Sequence, residues 1–170
     1  MIYLTREMIS KFSLREKKNL TDEELNDLIY FRIKLSTYNL LTRRDYFLKE
    51  IKQKLREKHN FPEIIDEVLE EFLEKDYIND EERARSYAKL HQNYGPKKLY
   101  MIFSQMGLER EIIEEVLKED SSEQVNKIKE QWFRLGNKTI EKKIASLMRK
   151  GFLYRDIKET ISSLKEEEEL

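Results

Sequence analysis

The sequence predicts an all-α protein built from three tandem three-helix repeats. Three observations point there: apolar residues recur every three or four positions, no stretch alternates with period two, and one eight-residue segment returns in register. Pro62-Glu63-Ile64-Ile65-Asp66-Glu67-Val68-Leu69 reappears 48 residues later as Arg110-Glu111-Ile112-Ile113-Glu114-Glu115-Val116-Leu117, with six of eight positions identical. The chain has 170 residues, 39% of them charged, and only four Gly and two Pro, so breakers of regular structure are scarce. Eight Phe, nine Tyr and one Trp supply the bulky anchors that disordered chains lack.

The elements follow from apolar spacing and turn signals. A lead-in segment covers 1–27. Within repeat one, 28–76, the stretch from Thr21 is expected to hold a lead-in helix and then the opening repeat helix, followed by helices near 44–58 and 62–75. In repeat two, 77–120, Asp80 is expected to cap a helix to about Asn93, Tyr94-Gly95-Pro96 restarts the chain, and Gly107 ends the next helix. Repeat three, 121–164, has helices broken at Gly136-Asn137 and Gly151, with Ile140, Ile144 and Leu147 as its middle apolar face. An acidic tail, 165–170, is expected to fray. A unit of about 45 residues has too small a core to stand alone, so the repeats are expected to share cores as an elongated, curved array. That shape suits an extended binder.

Several classes of chemistry drop out. Without Cys there are no disulfides, thiolate nucleophiles or zinc fingers, and a reducing cytoplasm is the expected location. No window approaches 18 consecutive apolar residues, so neither secretion nor a membrane span is expected. His59 and His91 lack the Glu-x-x-His and His-Glu-x-x-His partners of metal helices and are read as surface or packing residues. The glycines never cluster, so no phosphate-cradling loop can form. Glu70-Glu71 and Glu114-Glu115 are read as solvated helix faces, and Asp76 to Glu82 lacks the Gly and distal Glu of a calcium loop. Trp132 and Phe133 are expected to place one ring in the core and one near the surface, without forming a base-stacking site. The chain is therefore expected to be no enzyme and to carry no cofactor or metal.

Charge remains as the functional signal. The net charge is −1, but residues 121–164 carry ten basic and five acidic residues, a local balance of +5. On a helix near 137–150, Lys142 lies about 40° and Arg149 about 20° from Lys138, opposite the apolar face. Lys49, Lys52 and Arg56 occupy the same side of the matching helix in repeat one. Lys97, Lys98 and Tyr100, with Met101, turn away from Leu99 and Phe103 in repeat two. These cations can meet phosphates or acidic protein groups.

The assembled motifs resemble the RecX family of small helical regulators of the RecA recombinase. Leu41-Thr42-Arg43-Arg44, then Glu50-Ile51 and Lys54-Leu55, resembles the family's first repeat. Tyr77-Ile78-Asn79-Asp80 with Ala84 and Tyr87 is similar to its junction into the second repeat. Tyr94-Gly95-Pro96-Lys97-Lys98-Leu99 with Met106-Gly107-Leu108 resembles its most recognisable stretch, and Leu14-Arg15 with Leu20 to Leu25 resembles its lead-in. Phe47 stands where the family has Ser, and Arg83 where it has Phe. The resemblance implies a monomeric, non-enzymatic modulator lying in the groove of the RecA filament on single-stranded DNA and hindering ATP hydrolysis, strand exchange and filament growth. The residues alone also allow a helical DNA-binding protein or adaptor acting independently of RecA.

Overall fold

A computed structural model describes residues 4–168, and every regular element among them is helical. The chain divides into two compact units, Met1–Asp80 and Glu81–Leu170. The expectation for residues 169–170 of the acidic tail lies outside the described residues.

The first unit opens with α1, Arg6–Lys11, where the Thr5 hydroxyl accepts the Met8 N–H at 3.3 Å. Helix α2, Asp22–Leu41, starts in a capping box: the Thr21 hydroxyl accepts the Glu24 N–H while the Glu24 carboxylate accepts the Thr21 N–H. It then runs 20 residues without a break, so the two helices expected from Thr21 onward are one and the 27/28 boundary falls inside it. No Gly or Pro interrupts this stretch, and Thr37 and Ser36 return their hydroxyls to carbonyls one turn back. Helices α3, Leu48–Lys58, and α4, Pro62–Glu74, pack against α2. Their shared core holds Ile29, Ile33, Ile51, Leu55, Ile65, Val68, Leu69, Phe72 and Ile78.

Phe47 precedes α3 as its N-cap and cannot supply the oxygen a Ser would. Its ring is buried, and the Leu48 N–H instead donates to Asp80 Oδ1 at 2.7 Å, from 32 residues away. Asp80 is the first residue of α5, Asp80–Leu90, and serves the start of α3. This alters the expected role of Asp80 as the cap of its own helix.

In the second unit α5 leads to α6, Pro96–Met106, and α7, Arg110–Asp120. Gly107 ends α6 with φ of 89°, the left-handed turn that favours glycine. The duplicated segment keeps its burial: Ile65 and Val68 of α4 and Ile113 and Val116 of α7 are all buried. A 3-10 turn, Ser121–Glu123, enters α8, Gln124–Arg134, followed by α9, Ile140–Arg149, and α10, Tyr154–Glu168. The core of these last helices is Ile128, Leu147, Phe152 and Ile157, with Trp132, Leu135, Ile144 and Ile161 packed around it. Ile140 does not join it: as the first residue of α9 it is 46% exposed, since a first-turn side chain has no preceding turn to cover it. Residues 165–168 continue α10, so this part of the tail is helical where fraying was expected.

Arg83, in the place where a Phe was anticipated, is half-buried with its guanidinium 5.7 Å from the Tyr87 ring centre.

Candidate functional site

The Tyr94-Gly95-Pro96-Lys97-Lys98 segment forms a joint with the α9–α10 turn. The Gly95 N–H donates to Lys150 O at 2.8 Å, and the Lys97 N–H donates to Gly151 O at 3.1 Å. Gly95 is the N-cap of α6 and has no side chain to cap with, so the turn's carbonyls satisfy N–H groups at this helix start. The approach admits no side chain on either strand of chain: a methyl group at Gly95 would sit 2.3 Å from the Phe152 N, and one at Gly151 would sit 2.5 Å from the Lys98 N. Gly151 also has φ of +90°.

Side chains extend this joint. Lys98 places its ammonium 3.8 Å from the Tyr94 ring centre, and Tyr94 stacks on His91, which stacks on Tyr87. His91 is thus a packing residue, its Nδ1 2.8 Å from Tyr87 O. On the other side, Lys150 donates to Oε1 of buried Gln131 at 2.6 Å. Burial pushes the Lys150 ammonium below its ordinary pKa, and the charges of Arg134, Lys138 and Lys98 push it the same way. Four cations from α6, α8, the α8–α9 loop and the end of α9 therefore converge here. Sequence reasoning missed Lys150 and Arg134, since each reads locally as an ordinary basic residue at a helix C-terminus.

Deeper in the same unit, Lys127 is 2% exposed and donates to both oxygens of Asp120 at 2.5 and 2.6 Å. Gln124 adds a hydrogen bond to Asp120 Oδ2 at 2.7 Å. This pair fixes α8 against the end of α7.

The other predicted contact residues divide into two groups. Lys142 and Arg149 are exposed on α9 and form no ion pair with any described residue. Lys138 is exposed as well but precedes the N-cap Thr139, so it lies off the helix and the three-cation helical stripe does not form as expected. The Thr139-Ile140-Glu141 sequence carried that signal, because Thr is a preferred N-cap. Lys97 is exposed, and Tyr100 is 39% exposed on the outer face of α6 beside Met101. In the first unit Lys49 is exposed on α3. Lys52 and Arg56 instead meet Asp66 of α4, at 2.7 and 3.6 Å, so their charge is largely answered within the fold.

Glu71 corrects another expectation. It accepts from Tyr30 at 2.5 Å, from Lys34 at 2.5 and 2.7 Å and from Lys75, joining α2 to α4 rather than lying on a solvated face. These donors, Lys34 first, hold its carboxyl down at about 2, and burial beside Glu71 raises the Tyr30 hydroxyl. His59 is half-buried with Nε2 3.0 Å from the Ser36 hydroxyl, and burial lowers its pKa. Trp132 packs on the core under Lys143, while Phe133 is 62% exposed. Among the described residues no group of three or more His, Asp or Glu is placed to hold a metal ion, and no helix is long and apolar enough to cross a membrane.

Fold and site together define a class: an all-α repeat protein whose glycine-tight joint gathers cations. Comparison with known proteins is specific. Residues 34–72 match the family model described as RecX, first three-helix domain. The chain is 30% identical over 183 residues to the regulatory protein RecX of Streptococcus sanguinis strain SK36, covering 99% of this chain and 70% of that protein. It is 33% identical over 162 residues to the regulatory protein RecX of Listeria monocytogenes serovar 1/2a, covering 86% of this chain and 60% of that one. The crystal structure of RecX from Lactobacillus salivarius superposes with a TM-score of 0.65 at 25% identity, covering 80% of this chain and 96% of that one. A second RecX crystal structure, at 16% identity and a TM-score of 0.61, shares the fold. The chain belongs to the RecX family, whose curated relatives here are named regulatory proteins.

Proposed function

We propose that this protein is a non-enzymatic regulator of the RecA recombinase that binds the RecA filament on single-stranded DNA and lowers its ATP hydrolysis, strand exchange and growth. One observation carries the reading: a RecX relative is matched across 99% of the chain, so the likeness extends over both units. Three repeats, the first opening within α2 and ending at 76 and the others spanning 77–120 and 121–164, are the working divisions, and Lys49, Lys97, Lys98, Tyr100, Lys138, Lys142 and Arg149 are the contact residues. Their exposure supports this, Lys98 being the half-buried exception. Lys52 and Arg56 are secondary contacts, because binding would first have to draw them from Asp66.

The test is a titration of the protein into its cognate RecA on single-stranded DNA while ATP hydrolysis is followed. A fall in hydrolysis below one protein per recombinase protomer is the expected result. Unchanged hydrolysis with no association to the filament would overturn the proposal and leave an adaptor or DNA-binding role independent of RecA.

A further inference from the structure

In the first unit, α2, the start of α4 and the turn before it enclose an open cleft of about 710 Å³. Its floor is apolar: Tyr30, Phe61 and Ile64 are partly buried and packed on the core. Its rim is Asp27, Glu63 and Glu67, all exposed and none in an ion pair with any described residue. We propose that this cleft docks an extended segment of a partner protein through an arginine side chain, which lies on the aromatic floor and bridges the carboxylates of the rim.

The fold accounts for only part of the rim. Glu63 stands in the first turn of α4, where a helix N-terminus favours a carboxylate. Asp27 and Glu67 each lie in the second turn of their helices, beyond that effect, and Glu67 follows Glu63 at the spacing where like charges repel. Lys34, one turn beyond Tyr30 on α2, is committed to Glu71 at 2.5 and 2.7 Å and does not answer them. The negative field reaches the floor as well. Burial and the hydrogen bond to Glu71 raise the pKa of the Tyr30 hydroxyl, and the charges of Glu71, Glu67 and Glu74 raise it further.

The internal repeat indicates what such carboxylates take. Glu67 and Glu71 correspond to Glu115 and Glu119, 48 positions later. There one arginine, Arg85 of α5, bonds Glu119 at 3.0 Å and reaches Glu115 at 4.0 Å. In the first repeat Lys34 and Lys75 answer Glu71, and Glu67 stays open toward the cleft. A guanidinium suits the whole site, because it forks onto carboxylates and lies flat on a ring where an ammonium acts as a point charge. Arginine is also among the side chains that carry most binding energy at protein interfaces. The cleft falls within the roughly 300–1,000 Å³ of ligand pockets, enough for that side chain and the backbone bearing it.

The test uses the full chain without the recombinase, so its outcome is independent of the function proposed above. A fluorescent tetraarginine peptide is titrated by anisotropy at low salt against the natural protein and against Asp27→Asn with Glu67→Gln. The control, Glu23→Gln with Glu70→Gln, removes equal charge from exposed positions on the same two helices outside the cleft. The cleft variant is expected to bind about tenfold more weakly and the control to change less than about twofold, with melting temperatures nearly unchanged in both. Tetralysine is expected to bind the natural protein more weakly than tetraarginine. No binding of tetraarginine, or an equal loss in the control, would overturn the assignment. Tetralysine binding as tightly would remove the guanidinium from it, and spermidine displacing the peptide at equal charge would assign the cleft to small polycations instead.

Discussion

Gly95 and Gly151, 56 positions apart, meet backbone to backbone, with Gly95 N–H on Lys150 O and the Phe152 N only 2.3 Å from where a Gly95 methyl group would stand. The Tyr-Gly-Pro segment is thus a joint first. Its glycine is required by the close approach of another chain segment, and its partner glycine adds a left-handed φ of +90°.

That relationship predicts unequal costs for three Gly→Ala changes. Gly136 also has a left-handed φ, +56°, but nothing lies within 4 Å of a side chain there. Gly136→Ala should cost about 1–2 kcal/mol, the ordinary penalty of that conformation. Gly151→Ala should add an overpacking cost of about 1–3 kcal/mol, and Gly95→Ala should show the overpacking cost alone. Urea unfolding measures all three, and equal losses for Gly136→Ala and Gly151→Ala would contradict the close approach.

Asp80 and Phe47 form a compensating pair. With Phe47 unable to cap α3, Asp80 supplies the oxygen, so Asp80→Ala should destabilise by about 0.5–2 kcal/mol. Asp80→Asn keeps an acceptor in place and should recover most of the loss in thermal melts. The double change Phe47→Ser with Asp80→Ala should not restore stability fully, because Ser caps the helix but leaves the buried site of the ring empty.

What could be read in advance was what local spacing encodes. The repeat at Ile64-Ile65 and Ile112-Ile113, and the punctuation at Gly107 and Gly151, sufficed for helices and their order. The continuity of α2 was missed because both parts of it carry apolar residues and nothing between Thr21 and Leu41 says whether to stop. Glu71 looked solvated because its partners Tyr30 and Lys34 lie on α2, some 40 residues earlier. The cation cluster was half legible: Lys98 and Lys138 were visible as charges, but Lys150 reaches them through a turn-to-helix approach that leaves no local pattern.

The Glu71 network predicts an acid-sensitive contribution to stability. Its carboxyl is held at about 2 in the folded chain, below the value near 4.3 of a free Glu. A depressed folded value stabilises the native state above the unfolded pKa and loses that effect as pH falls toward the folded one. The melting temperature should therefore drop between about pH 5 and pH 2 more steeply in the natural protein than in Glu71→Gln. Parallel curves for the two would show that Lys34, Lys75 and Tyr30 do not hold the carboxylate as the geometry indicates.

Pairing within the fold separates the candidate contact residues by expected effect. Lys142→Glu with Arg149→Glu removes two exposed cations that meet no carboxylate among the described residues, and should weaken binding to the recombinase filament while leaving the melting temperature nearly unchanged. Lys52→Glu with Arg56→Glu should weaken binding less and lower the melting temperature as well, since both introduced carboxylates then repel Asp66. Asp66→Asn tests the same idea in the opposite direction. It releases Lys52 and Arg56 from their internal partner, so filament binding measured by cosedimentation should strengthen at low salt and converge with the natural protein at high salt. Unchanged binding by Asp66→Asn at unchanged melting temperature would mean that the α3 cations take no part in the interface, and would confine the contact surface to the second unit.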